Sequence, residues 1–408
     1  MAARGRALPG VQKFAVPASH AGRMEARMRR KNGLPKRRAL RNMPVFEHGF
    51  CTNPKTAAYR HDQASAPAPN NYTVTSLFAG CGGMDLGFMG GFRYGGHLYR
   101  AHPFHILRAI DFDRHAIETY RLNLGEHGVI GDLTEIPARD LPKARVLIGG
   151  FPCQDFSSSG PKIGFAGARG MLYRVLVDYM NEHRPEIVVG ENVPHLKRLR
   201  NGEYLETILR DFERCGYDFD VWEMFCPDYG LSQSRRRLIL MGTRRDLPGR
   251  PAVPRPTHPL KHRPIEDAIG DLVGVTDESV TNQSQYFVAT RATSGGGQGD
   301  HTNRRGELAY CIRANAKARI QFHYELDRRL TVRECARLQS FPDEFVFPFA
   351  AMTSMTQIGN AVPPILGHHV AASVATYLAA LDRGEVVPQK TRRAPEQRSL
   401  FDASGAAK

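Results

Sequence analysis

Gly149-Gly150-Phe151-Pro152-Cys153-Gln154 sets one cysteine just after a strand-like stretch, residues 145–148. A proline fixes the backbone ahead of it, and a polar, glycine-rich loop, residues 155–170, follows. A thiol nucleophile needs such a mount: rigid, at the mouth of a sheet, under a loop that can close. A lone cysteine is more often a small buried apolar residue. Further clusters at matching places along the chain favour the chemical reading. Glu191-Asn192-Val193 follows the very apolar 187–189, and a glutamate leaving a buried strand is costly unless it has a task. Partial burial raises such a carboxyl's pKa and suits it to donate a proton near neutrality. In Gln233-Ser234-Arg235-Arg236-Arg237, an extended backbone puts Arg235 and Arg237 on one face and Arg236 on the other. Two guanidiniums aimed the same way suit a base carbonyl or a phosphate.

A second group of residues has the character of a nucleotide-type site. Phe78-Ala79-Gly80-Cys81-Gly82-Gly83 lies where a strand hands over to a helix, and glycines there let a ligand approach the backbone. Asp85 occupies the place of the third glycine of a dinucleotide fingerprint, and no phosphate-loop lysine follows. A phosphate-free adenosyl ligand fits better. Asp111 and Asp132 end the next two strands, the first suited to ribose hydroxyls and the second to an adenine amino group. Each acid alone also reads as a helix N-cap or a solvated turn residue.

The elements that must position these residues alternate. Strands are expected at 73–78, 105–110, 129–130, 145–148 and 186–189, and helices from 84, at 114–124, 171–182 and 204–214. Residues 217–225 and 237–242 read as a strand pair. This alternation predicts an open, largely parallel α/β sheet with ligands at the strands' carboxyl ends. After 246 the pattern breaks into a proline-rich stretch, one short helix at 265–272 and a glycine-rich basic stretch at 294–305. Thr331-Val332-Arg333-Glu334 has capping-box spacing, and a last helix is expected from Pro363-Pro364 to about 381.

Six of these segments, in order, closely resemble the cytosine-C5 DNA methyltransferases of the bacterial restriction-modification type: 78–83, 150–156 with its loop through Arg169-Gly170, 191–193, 233–237, 329–341 (RLTVRECARLQSF) and 357–364 (QIGNAVPP). The resemblance covers about 72–381 and implies an α/β, Rossmann-like S-adenosylmethionine-dependent methyltransferase sheet with a small inserted target-recognition lobe. It implies that Cys153 attacks C6 of a flipped-out cytosine, that Glu191 contacts N3 and the exocyclic amine, and that Arg237 holds O2 while Arg235 assists the loop or the base. It implies an S-adenosylmethionine site of Phe78, Gly80, Gly82, Gly83, Asp111, Phe112, Asp132, Leu133, Pro152, Leu172, Asn360 and Val362, with S-adenosylhomocysteine as product. Contacts to double-stranded DNA are expected from Gln154, Ser157, Ser159, Lys162, Arg169, Gln233, Arg291, Arg304, Arg305 and Arg313, with Lys317 and Arg319 as further candidates. The implied division is a basic extension (1–70), catalytic parts at 71–245 and 328–383, a recognition region at 246–327 and a loose tail (384–408).

Composition is consistent with this. The chain has 408 residues, 41% of them apolar, and no apolar run of the ~18 residues a membrane span needs. Seven scattered cysteines form no Cys-x-x-Cys pair, which argues against a disulfide framework and structural zinc, and an N-terminus without the apolar segment of a secretory signal points to a reducing, cytoplasmic setting. Twelve basic residues against Glu25 alone within 1–42 supply eleven of the fifteen surplus positive charges. Such an arm suits phosphate backbones through counterion release, a solubilising leader, or an organelle transit peptide. A zinc deaminase would need a second cysteine where Phe156 stands, and a nicotinamide enzyme fails at Asp85. Cytosine methylation of transfer RNA and a silent DNA-binding relative remain as alternatives. The expected partners are DNA and a cognate endonuclease, and the expected state is a monomer with no metal.

Overall fold

The computed structural model describes residues 72–152, 172–275, 301–315 and 321–385. Its centre is a seven-stranded sheet in the order β5-β4-β1-β6-β7-β9-β8. The strands are β1 (Tyr72–Leu77), β4 (Phe104–Asp111), β5 (Gly128–Ile130), β6 (Val146–Gly149), β7 (Ile187–Asn192), β8 (Tyr217–Phe225) and β9 (Arg236–Arg244). The first five run parallel, and β9 pairs antiparallel with both β7 and β8.

Alternation along the central strands builds a core on each face. Val146, Ile148, Ile187, Val189, Ile239 and Met241 join one cluster, while Leu147, Val188 and Leu240 join the other. Strands covered on both faces read as nearly continuous apolar runs, which is why 187–189 looked so apolar. One face carries α1 (Gly83–Met89) and the long C-terminal helix α8 (Pro364–Asp382); the other carries α3 (Arg174–His183) and α4 (Glu203–Arg214). In α4, Tyr204, Leu205, Ile208 and Phe212 form the buried stripe of an amphipathic helix. The helix α2 (Arg114–Leu124) starts at Asp113, whose carboxylate accepts from the His115 and Ala116 amides at 2.9 and 3.2 Å. The expected capping box is present on α6 (Val332–Leu338), with Thr331 and Glu334 bonded reciprocally.

Three features depart from the sequence expectations. A small hairpin, β2 (Phe92–Tyr94) and β3 (His97–Tyr99), turns at Gly95-Gly96. An additional helix, α7 (Ala351–Asn360), precedes α8. Together 351–382 are long and apolar enough to span a membrane, but the chain breaks between the two helices and α8 is a core helix. Third, much of the first part of the expected recognition region packs on the catalytic sheet and its helices. Tyr377 and Ser373 donate to the Pro248 and Ala252 carbonyls, and Ile265, Ile269 and Leu272 join the core around α5 (Glu266–Ile269).

Candidate active site

Register places the chemistry. Leu77 pairs with Ile110 on one side and Gly149 on the other, and Gly149 pairs with Gly190. The next residues along these four parallel strands are therefore Phe78, Asp111, Gly150 and Glu191, in one row across the carboxyl edge. The row straddles β1 and β6, where strand order reverses, the usual place for a ligand in such sheets. Antiparallel β9 brings Arg237 to the same edge. Glu191 faces Ile239, so Arg237, two residues earlier, is its diagonal neighbour on the same face.

A cavity of about 580 Å³ opens along this row. Phe78, Gly80, Asp111, Phe112, Gly150 and Pro152 line it, with Leu172, Asn360 and Val362, and so do Glu191 and Arg237. Asp111 is buried; its Oδ2 accepts from the Gly80 amide at 2.8 Å and its Oδ1 from the Asp113 amide at 2.9 Å. Burial lifts its pKa above the usual carboxylate range, against the pull of those amides. Phe112 is 76% exposed beside it, an unusual state for a phenyl ring and one that a flat apolar ligand would relieve. Phe78 holds φ at 58°, a left-handed strain that costs a non-glycine residue about 1 kcal/mol or more and clusters at functional sites. A Cβ on Gly83 would stand 2.3 Å from the Val362 carbonyl, so only glycine lets that wall close on α1. An enclosed carboxylate, an exposed ring and a glycine turn fit an adenosyl ligand.

Glu191 Oε1 lies 2.7 Å from Arg237 Nε in an ion pair without hydrogen-bond alignment, and both side chains are nearly buried. Arg237 Nη1 also donates to the Arg236 carbonyl at 2.8 Å. Burial raises the Glu191 pKa; the charges of Arg237 and then Arg235 oppose it without cancelling it. Asn192 adds a contact that its place in the run did not announce. Its Nδ2 donates to the Phe151 carbonyl at 2.9 Å, and its Oδ1 accepts from the Val193 amide at 2.9 Å. It thereby pins the backbone two residues before Cys153.

The family model of the C-5 cytosine-specific DNA methylases matches residues 72–376. The chain belongs to that family. It is 31% identical over 326 residues to the Type II methyltransferase M.NgoFVII of Neisseria gonorrhoeae, covering 72% of this chain and 84% of that one. It is 33% identical over 335 residues to M1.HphI of Haemophilus parahaemolyticus, covering 74% and 86%. Among solved structures, the Entamoeba histolytica methyltransferase EhMeth shares the fold at TM-score 0.56, with 15% identity over 76% of this chain and 99% of that one. The S. pombe Dnmt2 methyltransferase does so at 0.53, with 18% identity over 76% and 100%. The chain is a DNA (cytosine-5-)-methyltransferase.

Several expected site residues of this methyltransferase occupy other roles. Gln233, expected on DNA, is fully buried: its Nε2 donates to the Leu338 carbonyl and Gln339 Oε1, and its Oε1 accepts from the Ile312 amide. Arg235, expected to assist the loop or the base, is 1% exposed and spends its guanidinium on three main-chain carbonyls. Asp132 is exposed and turned to its own chain, accepting from the Thr134 amide and hydroxyl, while Leu133 belongs to the core. Gly82, with φ at 90°, faces Tyr120 and Leu124 of α2 rather than the cavity. Arg313 is exposed and lines the cavity, Arg304 is exposed near Glu307, and Arg305 pairs with Glu325 over the Tyr324 ring. Cys153, Gln154, Ser157, Ser159, Lys162, Arg169, Arg291, Lys317 and Arg319 lie outside the described residues.

Proposed function

We propose that this DNA cytosine methyltransferase acts by base flipping and a covalent Cys153–C6 adduct, modifying one short duplex motif as the modification half of a restriction-modification system. It would work as a cytoplasmic monomer, with a cognate endonuclease as partner. The observation that carries the mechanism is the buried Glu191–Arg237 pair, standing in one row with Asp111 and the segment that ends at Pro152. The Type II methyltransferase names of the relatives support the biological setting.

Cytosine C5 is a poor nucleophile until a thiolate adds at C6. In the proposed step the Cys153 sulfur forms the S–C6 bond, the C5–C6 π pair moves to C4–C5, and the C4–N3 π pair moves onto N3. Glu191, its pKa raised by burial, gives a proton to N3 as that charge builds. Arg237 donates to O2, and its fixed pairing with Glu191 holds the donor in place before the base arrives. S-adenosylmethionine, when bound, supplies the methyl group as an electrophile for C5. Loss of the C5 proton to a base then restores the C5–C6 double bond and expels the thiolate, and N3 returns its proton to Glu191. Neither carbon is reachable within a stacked duplex, so the base must leave the helix, at roughly a few kcal/mol. Phe78, Asp111, Phe112 and the 360–362 wall would hold the cofactor.

The test is methyl transfer from labelled S-adenosylmethionine by the purified full chain, with unmethylated plasmid and transfer RNA in competition. Label in DNA 5-methylcytosine is the expected result. Label confined to the transfer RNA would contradict the duplex reading.

A further inference from the structure

Two walls of the cavity come from distant stretches. One is 360–362, at the end of α7; the other is 311–314, where the chain returns from the recognition region. Arg235 joins them. Its Nη1 donates to the Ile312 carbonyl at 2.8 Å, and its Nη2 donates to the Gly359 and Ala361 carbonyls, each at 2.9 Å. Two buried glutamines complete the joint. Gln233 Oε1 accepts from the Ile312 amide at 3.0 Å, so both main-chain groups of Ile312 are held by side chains from the residues entering β9. Gln339 Nε2 donates to the Ala361 carbonyl at 2.6 Å and Gln339 Oε1 accepts from Gln233, closing the circuit.

The walls also touch directly. Thr356 Oγ1 donates to the Ala314 carbonyl at 3.1 Å, and a Cβ on Gly359 would fall 2.3 Å from the Arg313 carbonyl carbon. Buried side chains bonded to the main chain of both walls resist independent movement of those walls, because parting them would strand polar groups out of water.

We propose that Arg235, with Gln233 and Gln339, is a positioning joint that couples cofactor binding at 360–362 to duplex binding beside Arg313. The inference rests on the functional reading above. Ordering one wall orders the other, so the two ligands each bind better to a protein already holding its partner. Linkage requires the same factor in both directions.

The test measures duplex Kd by anisotropy, on a labelled duplex carrying the motif that bisulfite sequencing of plasmid from expressing cells identifies, with and without saturating S-adenosylhomocysteine, and the reciprocal S-adenosylhomocysteine Kd by calorimetry. The wild-type full chain is expected to show a factor of roughly 5 or more. Arg235→Lys keeps the charge but replaces a fork by one ammonium, which cannot span the Ile312 and Ala361 carbonyls. Its factor should fall below about 2, with the S-adenosylhomocysteine Kd measured alone changed less than the factor lost. Gln339→Met removes the bonds to the Ala361 carbonyl and to Gln233 and leaves Arg235 in place, and should give an intermediate factor even if Arg235→Lys does not fold. A purely structural role would lower the melting temperature and leave the factor unchanged. A wild-type factor of 1, or a wild-type factor retained in a folded variant, overturns the proposal. A wild-type chain that binds neither ligand overturns the functional reading beneath it.

Discussion

Glu191 and Arg237 meet across the β7–β9 pair at 2.7 Å, each on a nearly buried side chain. Taking the two charges from water costs several kcal/mol each, and their attraction recovers this only while both remain. Glu191→Gln keeps the volume and removes the titrating proton. It should lower kcat by roughly 10²–10⁴ while leaving S-adenosylhomocysteine affinity unchanged. Because the protonated form is the donor, the limb on which rate falls as pH rises belongs to Glu191 and should disappear from the variant's profile. Arg237→Ala should do more, destabilising the fold by roughly 3–5 kcal/mol by leaving the carboxylate unpaired. Urea denaturation checks this.

Asn192 holds the Phe151 carbonyl two residues before the nucleophile. Asn192→Ala should reduce kcat by roughly 10²-fold, since small displacements of a reacting group cost that much, and leave cofactor affinity nearly intact. Single-turnover kinetics on a saturating duplex reads the chemical step alone.

Asp111 fixes the Gly80 amide and the Asp113 amide with its two oxygens. Asp111→Ala frees the turn that shapes the cofactor wall and exposes Gly80's amide to the cavity without a partner. The expected outcome is at least a tenfold weaker S-adenosylhomocysteine Kd by calorimetry, equivalent to about 1.4 kcal/mol.

Acid should destabilise the fold. Burial, helped by neighbouring histidines, lowers the pKa of His127 and His369 to about 4 and that of His368 to about 3. These rings are neutral when folded, while the unfolded chain takes up protons below about 6.5, so stability is lost as pH falls from there towards 4. Asp85, raised to about 6 by burial, acts in the opposite sense, since its stabilisation is lost as pH rises from about 4 to 6. Asp111 and Glu191, also raised by burial, act with Asp85, but His102, His258 and His323 are lowered as the other three rings are, so the histidines outweigh the carboxyls and the urea midpoint at pH 5 should lie below that at pH 7. His368→Phe should flatten the difference.

What could be read from the sequence was local. The glycine turn at 78–83 and the acid at Asp111 sit at strand ends, where residue type and place agree. Period-2 alternation alone puts Arg235 and Arg237 on one face, and both are buried while Arg236 is exposed. What could not be read depends on partners far along the chain. Gln233 looks like part of a basic surface run, and its burial is decided by Leu338 and Gln339, about a hundred residues on. Asp132 keeps its carboxylate for Thr134, a choice between turn and ligand that composition does not make. The helix α7 lacks a side-chain N-cap and carries threonines and a glycine, so its pattern is weak; its contact with 313–314 accounts for its place. The hairpin at Gly95-Gly96 did carry a recognisable turn signal.

The most direct test of the account is bisulfite sequencing of plasmid DNA from cells expressing the full chain, beside Cys153→Ala and Glu191→Gln. The account predicts protected cytosines confined to one short motif with the wild type, none with Cys153→Ala and far fewer with Glu191→Gln. Soluble wild-type protein that leaves every cytosine convertible, or a Cys153→Ala variant that still protects the motif, would contradict it.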